Sequence, residues 1–399
     1  MKILFLPKLL PRSDVIGGPI LIFHRIKNLS RLGHTITLIA PAFDALDRED
    51  KSLQPYCEKI IMVEGPGPRS KEEVIELQAR FKRPRYFLKG YSQGIQDALD
   101  HEITKTHYDV LIAEYSMMGQ YFHNNQHIPD DTATIISCHE CYTKAALMRA
   151  GKAEGKQKEA ELIDARELED YEFKMYNAAD RIIALTSQDR DVILSFGPYL
   201  REKIDIVQHG VDTSFYLPPK ERSRETKRIL FLGNYQHAPN IDAVYNFVNN
   251  CWNRVKETFP EAEFHIVGFR PPKDFYDLGE GIFPQEGGSD VRKFYWNCDV
   301  FVAPLELGGG FRGKILEALA CGIPVVSTRL GIEGISPLPD EILVADDYKT
   351  FSDHVIRLLS DKALKDRVVA NGLKLAGKFD HINAARRLDE ALIKLVKNA

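Results

Sequence analysis

The chain alternates short apolar segments with amphipathic segments, and this pattern occurs twice along its length. The first series has apolar runs at 2–6, 35–40, 110–113, 134–137 and 181–185. The second series has them at 228–232, 263–267, 300–303, 324–328 and 341–344. Buried strands separated by helices are typical of mostly parallel sheets that carry helices on both faces. The sequence therefore predicts an α/β protein with two doubly wound, Rossmann-like domains.

A polar segment separates the two series. Residues 210–226 are rich in proline and charged side chains and lack periodicity, so they predict a domain linker. The predicted first domain is 1–209 and the second is 227–380. A last helix at 381–399 follows both domains, and we expect it to pack back on the first one. The length of 399 residues suits two or three domains of ordinary size.

Composition argues against several classes of protein. The 53 Lys and Arg residues are balanced by 57 Asp and Glu, so the net charge of −4 lacks the basic excess of a dedicated nucleic-acid binder. No run of about 18 apolar residues is present, so no segment predicts a membrane span. Lys8 and Arg12 interrupt the apolar N-terminal stretch and no small-residue cleavage site follows, which argues against a secretory signal. We expect a cytoplasmic protein.

The six cysteines are scattered, which is not the pattern of a disulfide framework and fits a reducing cytoplasm. Cys138 and Cys141 form a Cys-x-x-Cys pair, which is compatible with half of a zinc site, with a redox pair, or with two small apolar residues. Since no second pair of ligands completes a set of four, we favour the last interpretation. We predict no metal and no cofactor.

The strongest chemical signal lies at 299–328, which has the order strand, glycine-rich loop, basic residues, helix, strand. Gly308, Gly309 and Gly310 leave backbone N–H groups unobstructed at the start of a helix, where the positive end of the helix dipole favours an anion. Arg312 and Lys314 add positive charge beside them. The segment therefore predicts a site for a diphosphate-like anion.

Two other interpretations of this loop stay open. Residues 308–313 also satisfy the Gly-x-Gly-x-x-Gly dinucleotide pattern, and Arg329 at the end of the next strand suits the phosphate of NADP, which indicates an NADP-dependent oxidoreductase. Alternatively, the glycines only form a tight loop. Neither interpretation explains Arg312 and Lys314 in addition to the glycines.

The helix that follows resembles a known family motif. Residues 316–326 read Leu-Glu-Ala-Leu-Ala-Cys-Gly-Ile-Pro-Val-Val, which is similar to the donor-binding motif of retaining glycosyltransferase family 4. The Arg-Leu-Gly-His at 31–34, the Gly-Val-Asp at 210–212 and the Gly-Ile-Glu-Gly at 331–334 also agree with that family. The resemblance extends over nearly the whole chain. It implies the GT-B fold, in which two Rossmann-like domains face a cleft that holds a nucleotide-sugar.

The resemblance implies roles for residues of the second domain. Glu317 matches the second acid of the family's Glu-x7-Glu motif, which accepts hydrogen bonds from the ribose hydroxyls of the donor. The first acid falls at Gly309, which departs from the family pattern. We therefore expect the backbone amides of Gly309, Gly310 and Phe311 to contact the sugar and diphosphate.

The usual basic pair of the family follows the first strand of the second domain, where this chain has Gly233, Asn234 and Asn240 instead. Arg312 and Lys314 look like substitutes that reach the phosphates from the other side.

In the first domain, the glycine pair Gly17 and Gly18 is similar to the family's N-terminal glycine loop, which implies a place at the donor site. His139 follows the strand at 134–137 and matches the family's histidine near the donor sugar. Imidazole there can hydrogen-bond a hydroxyl or help to position the acceptor.

Together these features predict a hexosyltransferase-type enzyme of glycan, polysaccharide or glycolipid biosynthesis. It moves a sugar from a nucleotide-diphosphate-sugar to a hydroxyl of a sugar, glycan or lipid-linked acceptor, with retention at the anomeric carbon. No metal ligand cluster is apparent, so Arg312, Lys314 and the helix start are the candidate groups that stabilise the departing diphosphate. The resemblance adds His139 as a candidate catalytic residue. The missing first acid leaves open a non-catalytic GT-B nucleotide-sugar-binding protein, and an epimerase of the same fold is a further alternative.

One basic cluster stands apart from this site. Residues 80–89 combine Lys and Arg with aromatic side chains. One interpretation is peripheral contact, either with anionic lipid at the inner membrane face or with a polyanionic acceptor. The other is a solvated helix and loop surface.

Overall fold

The computed structural model describes residues 1–14, 17–221, 226–288, 290–308 and 311–398. Two compact units divide the chain. The first comprises Met1–Gln208 together with Ala384–Ala399, and the second comprises His209–Asn383. Residues 210–226, the predicted linker, belong to the second unit, in which a backbone bridge joins Val211 to Asp380.

Within the described residues, the first unit contains one parallel sheet in the order β3-β2-β1-β4-β5-β6-β7. Its strands are β1 (Lys2–Pro7), β2 (Thr35–Ala42), β3 (Lys59–Glu64), β4 (Val110–Glu114), β5 (Ala133–Cys138), β6 (Arg181–Ala184) and β7 (Ile204–Ile206). The central strands are apolar on both faces because helices cover both sides of the sheet; in β1, for example, Ile3 and Leu4 are fully buried.

The helices of the first unit are α1 (Gly18–Arg31), α2 (Ala45–Glu49), α3 (Lys71–Phe81), α4 (Arg85–Lys89), α5 (Gln93–Lys105), α6 (Tyr142–Lys152), α7 (Gly155–Ala178) and α8 (Ser187–Phe196). The start and end of α1 follow from local chemistry. Pro19 fits the first turn, where no backbone donor is needed, and Gly33 follows the last turn with φ of +94°.

The second unit repeats the arrangement with a parallel sheet in the order β10-β9-β8-β11-β12-β13 among its described residues. The strands are β8 (Arg228–Asn234), β9 (Glu263–Phe269), β10 (Ile282–Glu286), β11 (Val300–Ala303), β12 (Val325–Ser327) and β13 (Leu343–Val344). The helices are α9 (Ala238–Phe247), α10 (Asn253–Thr258), α11 (Arg292–Trp296), α12 (Gly313–Ala320), α13 (Tyr348–Ser360) and α14 (Lys362–Lys378). A π-helical turn at Val248–Trp252 joins α9 to α10.

The last helix, α15 (His381–Asn398), joins the first unit from Ala384 onward. Leu388 and Leu392 are fully buried in an apolar cluster with residues of β1 and β2. The Nε2 atom of His34 lies 2.8 Å from Oδ1 of Asp389.

The predicted α/β fold with two Rossmann-like domains is confirmed. Strands β3, β7 and β10 are absent from the sequence prediction. The apolar run at 60–63 in β3 is a signal that the prediction missed, whereas β7 and β10 lack a strong pattern. Strand β7 has three residues, and β3 and β10 lie at sheet edges. An edge strand tolerates Pro284 in β10, although proline in a sequence argues against a strand. The run at 341–344 shortens to Leu343–Val344.

Candidate functional site

The carboxyl end of β8 is the natural ligand position in the second unit. Strands β8 and β11 are neighbours whose following connections lead to opposite sides, and open parallel sheets bind ligands at such a switch point. Lys314, at the start of α12, donates hydrogen bonds from Nζ to the carbonyl oxygen of Leu232 at 3.0 Å and to Oδ1 of Asn240 at 2.7 Å. The structure therefore places the ammonium group of Lys314 at the carboxyl end of β8, between Leu232 and Asn240.

The environment of Lys314 disfavours the protonated form of its side chain. Burial and, to a smaller extent, the nearby positive charge of Arg312 lower the pKa of its ammonium group to about 7, although the charge of Glu317 opposes both effects. The Nζ atom also lies 4.5 Å from the ring centroid of Phe231. A bound anion relieves this situation because it favours the protonated form of the lysine.

The residues before α12 are only partly within the described chain. Gly309 and Gly310, which the sequence predicts as backbone donors, lie outside the described residues. Phe311 stacks on His209, with ring centroids 5.4 Å apart. Arg312 precedes the first turn of α12, and burial lowers its pKa, whereas the charge of Glu333 opposes that shift.

Glu317 lies on α12 three residues after Lys314, and this spacing puts both side chains on one side of the helix. Its Oε2 atom accepts a hydrogen bond of 2.9 Å from the hydroxyl of Tyr295. Burial raises the pKa of Glu317, and the Tyr295 hydroxyl and the charge of Lys314 oppose that shift. The arrangement offers a hydrogen-bond acceptor beside a cation.

In the first unit, the carboxyl ends of β4 and β5 meet the start of α1. His139 follows β5, and its ring stacks on that of Tyr115 with centroids 4.1 Å apart. Gly18 allows this packing, because a Cβ atom there would lie 1.7 Å from the Tyr115 hydroxyl oxygen. Gly17 has φ of +87°, a conformation that favours glycine.

Tyr115 itself has φ of +76°, which is strained for an aromatic residue. Strain of this kind concentrates at functional sites because the surrounding structure must hold it in place. The three sequence-predicted residues of this unit therefore come together, with Tyr115 added by the structure.

A buried ion pair lies beneath His139. Nη1 of Arg25 donates to both carboxylate oxygens of Glu114 at 2.9 Å, and Nε2 of His139 lies 2.8 Å from Oε2 of Glu114. Although burial raises the pKa of Glu114, Arg25 and His139 outweigh this and lower it to about 2. Burial lowers the pKa of His139, and the hydrogen bond and charge of Glu114 oppose that shift.

The sequence prediction missed Arg25, Glu114, Tyr115 and Tyr295. Two of them left a signal. Glu114 is a charged residue at the end of an apolar strand, and Arg25 lies on the apolar face of α1 between Ile22 and Ile26. Such residues need a buried partner. Nothing in the sequence around Tyr115 or Tyr295 distinguishes them from core aromatics.

The remaining predicted groups lie elsewhere. Cys138 and Cys141 are buried, and burial raises the pKa of the Cys138 thiol to about 12. The described residues contain no cluster of three or more potential metal ligands of the His, Cys, Asp and Glu types. Arg329 is exposed, and its Nε atom lies 3.2 Å from Oδ2 of Asp346.

The basic cluster at 80–89 spans the end of α3 and all of α4. Its apolar side chains Phe87 and Leu88 are fully buried. The guanidinium of Arg83 packs over the rings of Phe81 and Tyr91. None of the helices in the described part of the chain combines the length and apolar character needed to cross a bilayer.

Two family models match the chain. Residues 17–215 match the model described as Glycosyltransferase Family 4, and residues 226–361 match the model described as Glycosyl transferases group 1. A relative named D-inositol 3-phosphate glycosyltransferase, from Corynebacterium kroppenstedtii, is 23% identical, over 95% of this chain and 85% of its own length.

Solved structures agree on the fold. Sucrose-phosphate synthase from Thermosynechococcus elongatus aligns with a TM-score of 0.69 and 17% identity, over 100% of this chain and 99% of its own. Anabaena HepE, solved in complex with UDP-glucose, aligns with a TM-score of 0.66 and 13% identity, over 99% and 100% of the two chains. The family match favours a glycosyltransferase over an NADP-dependent oxidoreductase. The chain belongs to the family 4, group 1 glycosyltransferases and has the GT-B fold.

Proposed function

We propose that this glycosyltransferase moves a sugar from a nucleotide-diphosphate-sugar to an acceptor hydroxyl, with retention at the anomeric carbon and without a metal. The observation that carries the proposal is the position of Lys314. Its ammonium group lies at the carboxyl end of β8, beside the start of α12, with neutral oxygen atoms as hydrogen-bond partners. A diphosphate group there receives the charge of Lys314, that of Arg312 and the positive end of the helix dipole.

These groups supply what the reaction requires. The bond between the anomeric carbon and the phosphate oxygen breaks, and a bond from that carbon to the acceptor oxygen forms on the same face of the sugar. The proton of the acceptor hydroxyl passes to the departing phosphate oxygen. Negative charge develops on the diphosphate, and Lys314, Arg312 and the start of α12 stabilise it.

The rest of the donor has candidate contacts as well. Glu317 accepts hydrogen bonds from the ribose hydroxyls, as the family resemblance implies. His139, Gly17 and Gly18 stay predictions for the sugar-side contacts. The UDP-glucose in the HepE structure supports a uridine diphosphate sugar as the first donor to test, and the relatives' names support a role in glycan or glycolipid biosynthesis.

The test is nucleotide release from a panel of nucleotide-sugars, with and without a metal chelator. We expect release from one of them, at a rate that the chelator leaves unchanged. Lys314→Met lowers kcat/KM about a hundredfold or more, since removal of one preorganised charge-stabilising group costs about 2.7–4 kcal/mol.

Lys227→Met is the matched control. Nζ of Lys227 also donates to a backbone carbonyl, that of Leu359, and lies 4.9 Å from the ring centroid of Phe259, but it precedes the amino end of β8. Equal rates in Lys314→Met and Lys227→Met contradict the proposal. Nucleotide binding without consumption of any donor identifies a non-catalytic protein instead.

Retention has its own test. Proton NMR of the glycosidic product gives the anomeric configuration directly. We expect the configuration of the donor, and an inverted product contradicts the proposed mechanism while leaving the donor site intact.

We also propose that the 80–89 cluster makes electrostatic contact with anionic lipid. Arg80, Lys82, Arg85 and Lys89 are exposed, and each is worth about 1 kcal/mol near an anionic surface. We expect the protein to sediment with phosphatidylserine vesicles at low salt and less so at high salt. Reversal of three of these charges to Glu abolishes sedimentation.

The control reverses Lys349, Lys362 and Arg367 of the second unit, which are also exposed. Both triple variants change the net charge equally. A difference in sedimentation between them therefore shows that the position of the charges matters, and not the net charge. Unchanged sedimentation after reversal within 80–89 rules the lipid contact out.

A further inference from the structure

The Glu114 carboxylate faces one specific nitrogen of His139. Oε2 of Glu114 lies 2.8 Å from Nε2 of the imidazole, and the Glu114 side chain is fully buried. An ionised carboxylate accepts hydrogen bonds and donates none. The hydrogen between the two groups therefore belongs to Nε2 of His139.

Arg25 holds the carboxylate in this orientation. Its Nη1 atom donates to both oxygens of Glu114 at 2.9 Å and to Oγ of Ser137 at 2.7 Å. The Arg25 side chain is 2% exposed, so its charge compensates that of Glu114 inside the unit. Three elements, α1, β4 and β5, contribute to this arrangement, and the carboxylate cannot turn away from His139 without losing Arg25.

The other nitrogen of His139 faces the start of α1. A Cβ atom on Gly18 would lie 3.2 Å from Nδ1 and 1.7 Å from the Tyr115 hydroxyl oxygen, so the backbone of α1 comes close to this nitrogen only because residue 18 has no side chain. The ring of Tyr115 stacks on the imidazole at an interplanar angle of 24° and fixes its plane. In a neutral imidazole that carries its hydrogen on Nε2, Nδ1 is a hydrogen-bond acceptor.

We propose that Glu114 and Arg25 are positioning residues that fix His139 as its Nε2–H tautomer, so that Nδ1 accepts a hydrogen bond from a hydroxyl of the sugar substrate. This inference rests on the proposed function for its ligand. It defines the substrate group that His139 selects: a hydroxyl that donates. A group that only accepts hydrogen bonds, such as fluorine, cannot donate a hydrogen bond to Nδ1. Its lone pairs and that of Nδ1 repel each other instead.

The tautomer is measurable without any substrate. Two-dimensional 15N–1H NMR of histidine-labelled protein distinguishes a protonated ring nitrogen from an unprotonated one, and His139→Gln assigns the signals. We expect an unprotonated Nδ1 and a protonated Nε2 for His139 in the wild-type protein. A protonated Nδ1 overturns the proposal whether or not the protein transfers sugar. If the protein has the expected tautomer but transfers no sugar, the proposed role of Glu114 and Arg25 still holds. In that case only the proposed glycosyltransferase function is contradicted.

The role in substrate selection is tested with deoxyfluoro analogues of the active donor and acceptor. In the wild type, replacing one hydroxyl by fluorine lowers kcat/KM about tenfold to a hundredfold, because an unsatisfied buried group costs about 1–3 kcal/mol. In Glu114→Gln, the amide oxygen still accepts from Arg25, whereas its NH2 group donates to Nε2 and moves the ring hydrogen to Nδ1. We expect this variant to lose the discrimination against fluorine at that position.

Glu102→Gln is the matched control. Glu102 is also a buried glutamate of the first unit, and it accepts hydrogen bonds from Lys59 and Tyr108. This variant tests whether a general loss of stability accounts for the lost discrimination in Glu114→Gln. Because Glu102 does not contact His139, we expect Glu102→Gln to discriminate between hydroxyl and fluorine as the wild type does. Unchanged discrimination in a folded Glu114→Gln overturns the proposal, and if that variant does not fold, the wild-type tautomer decides alone.

Discussion

Lys314 is half-buried, yet its two hydrogen-bond partners are the neutral oxygens of Leu232 and Asn240. No carboxylate in the described part of the chain forms an ion pair with it, although the charge of Glu317 acts on it. Its pKa of about 7 follows from that environment, because burial penalises the charged form. At the scale of single residues, Lys314 is thus a positively charged group without a carboxylate partner among the described residues, which suits the proposed binding of a diphosphate.

Donor affinity should depend on pH for this reason. The ammonium of Lys314 is protonated below its pKa of about 7 in the free protein, and a bound diphosphate raises that pKa. The Kd of a nucleotide-sugar therefore rises as the pH increases above 7, by up to about tenfold per pH unit until the raised pKa is reached. Isothermal titration calorimetry between pH 6 and 8.5 measures this dependence.

Lys314→Met loses the pH dependence together with much of the affinity, whereas Lys227→Met retains both. A nucleotide-sugar is the right probe because its diphosphate, esterified at both ends, keeps a constant charge over this range. A constant Kd from pH 6 to 8.5 in the wild type contradicts the expected coupling between diphosphate binding and protonation of Lys314.

At the scale of elements, the start of α1 shows how a helix terminus is fitted to its neighbours. Gly18 has an ordinary backbone conformation, so it is the lack of a side chain that matters there. The hydroxyl of Tyr115 and Nδ1 of His139 occupy the space that a Cβ atom would take. The helix thus approaches the carboxyl ends of β4 and β5 more closely than any other residue type at this position permits.

Gly18→Ala should therefore displace Tyr115. We expect the free energy of unfolding to fall by about 1–3 kcal/mol, as for other overpacked sites, and sugar transfer to fall more strongly than nucleotide binding. Urea denaturation and a transfer assay measure the two effects. In a Tyr115→Gly background the clash is absent, so Gly18→Ala lowers the free energy of unfolding by less than it does in the wild type.

Gly151→Ala provides the comparison, since a Cβ atom at Gly151 in α6 meets no atom within 4 Å. Its stability stays at or slightly above that of the wild type, because alanine favours a helix over glycine. A Gly18→Ala protein as stable and active as Gly151→Ala would falsify the close packing at the start of α1.

At the scale of the whole molecule, each unit has its own parallel sheet and its own apolar clusters. The candidate groups for the donor diphosphate, Lys314 and Arg312, belong to the second unit, whereas His139 and its supporting ion pair belong to the first. Binding of the nucleotide and transfer of the sugar should therefore respond to different variants.

His139→Ala separates the two steps. We expect it to bind a nucleoside diphosphate with the wild-type Kd and to transfer sugar at least tenfold more slowly, because the proposed contact of His139 is with the sugar and not with the nucleotide. In thermal unfolding, nucleotide at 100 times Kd stabilises the wild type and His139→Ala equally, by about 2.7 kcal/mol. Lys314→Met loses this stabilisation at the same nucleotide concentration. Weakened nucleotide binding in His139→Ala contradicts this division of roles.

The sequence by itself determined the fold class and the candidate donor-site residues of the second unit. Periodicity is local, so the alternation of strands and helices could be predicted segment by segment. The start of α12 is local as well, since Arg312, Lys314 and Glu317 lie within six residues of one another. The edge strand β10 could not be predicted, because its proline and polar residues hide the strand pattern, whereas the apolar run at 60–63 in β3 was a usable signal.

Only the tertiary structure decided which buried charges meet. Asn240 contacts Lys314 across 74 positions of the chain, and Arg25 contacts Glu114 across 89. The orientation of His139 depends on the second of these pairs. A charged group in an apolar segment indicates that a partner exists, but sequence spacing carries no information about distant partners. The free energy that selects the partner comes from burial, and burial is a property of the folded chain.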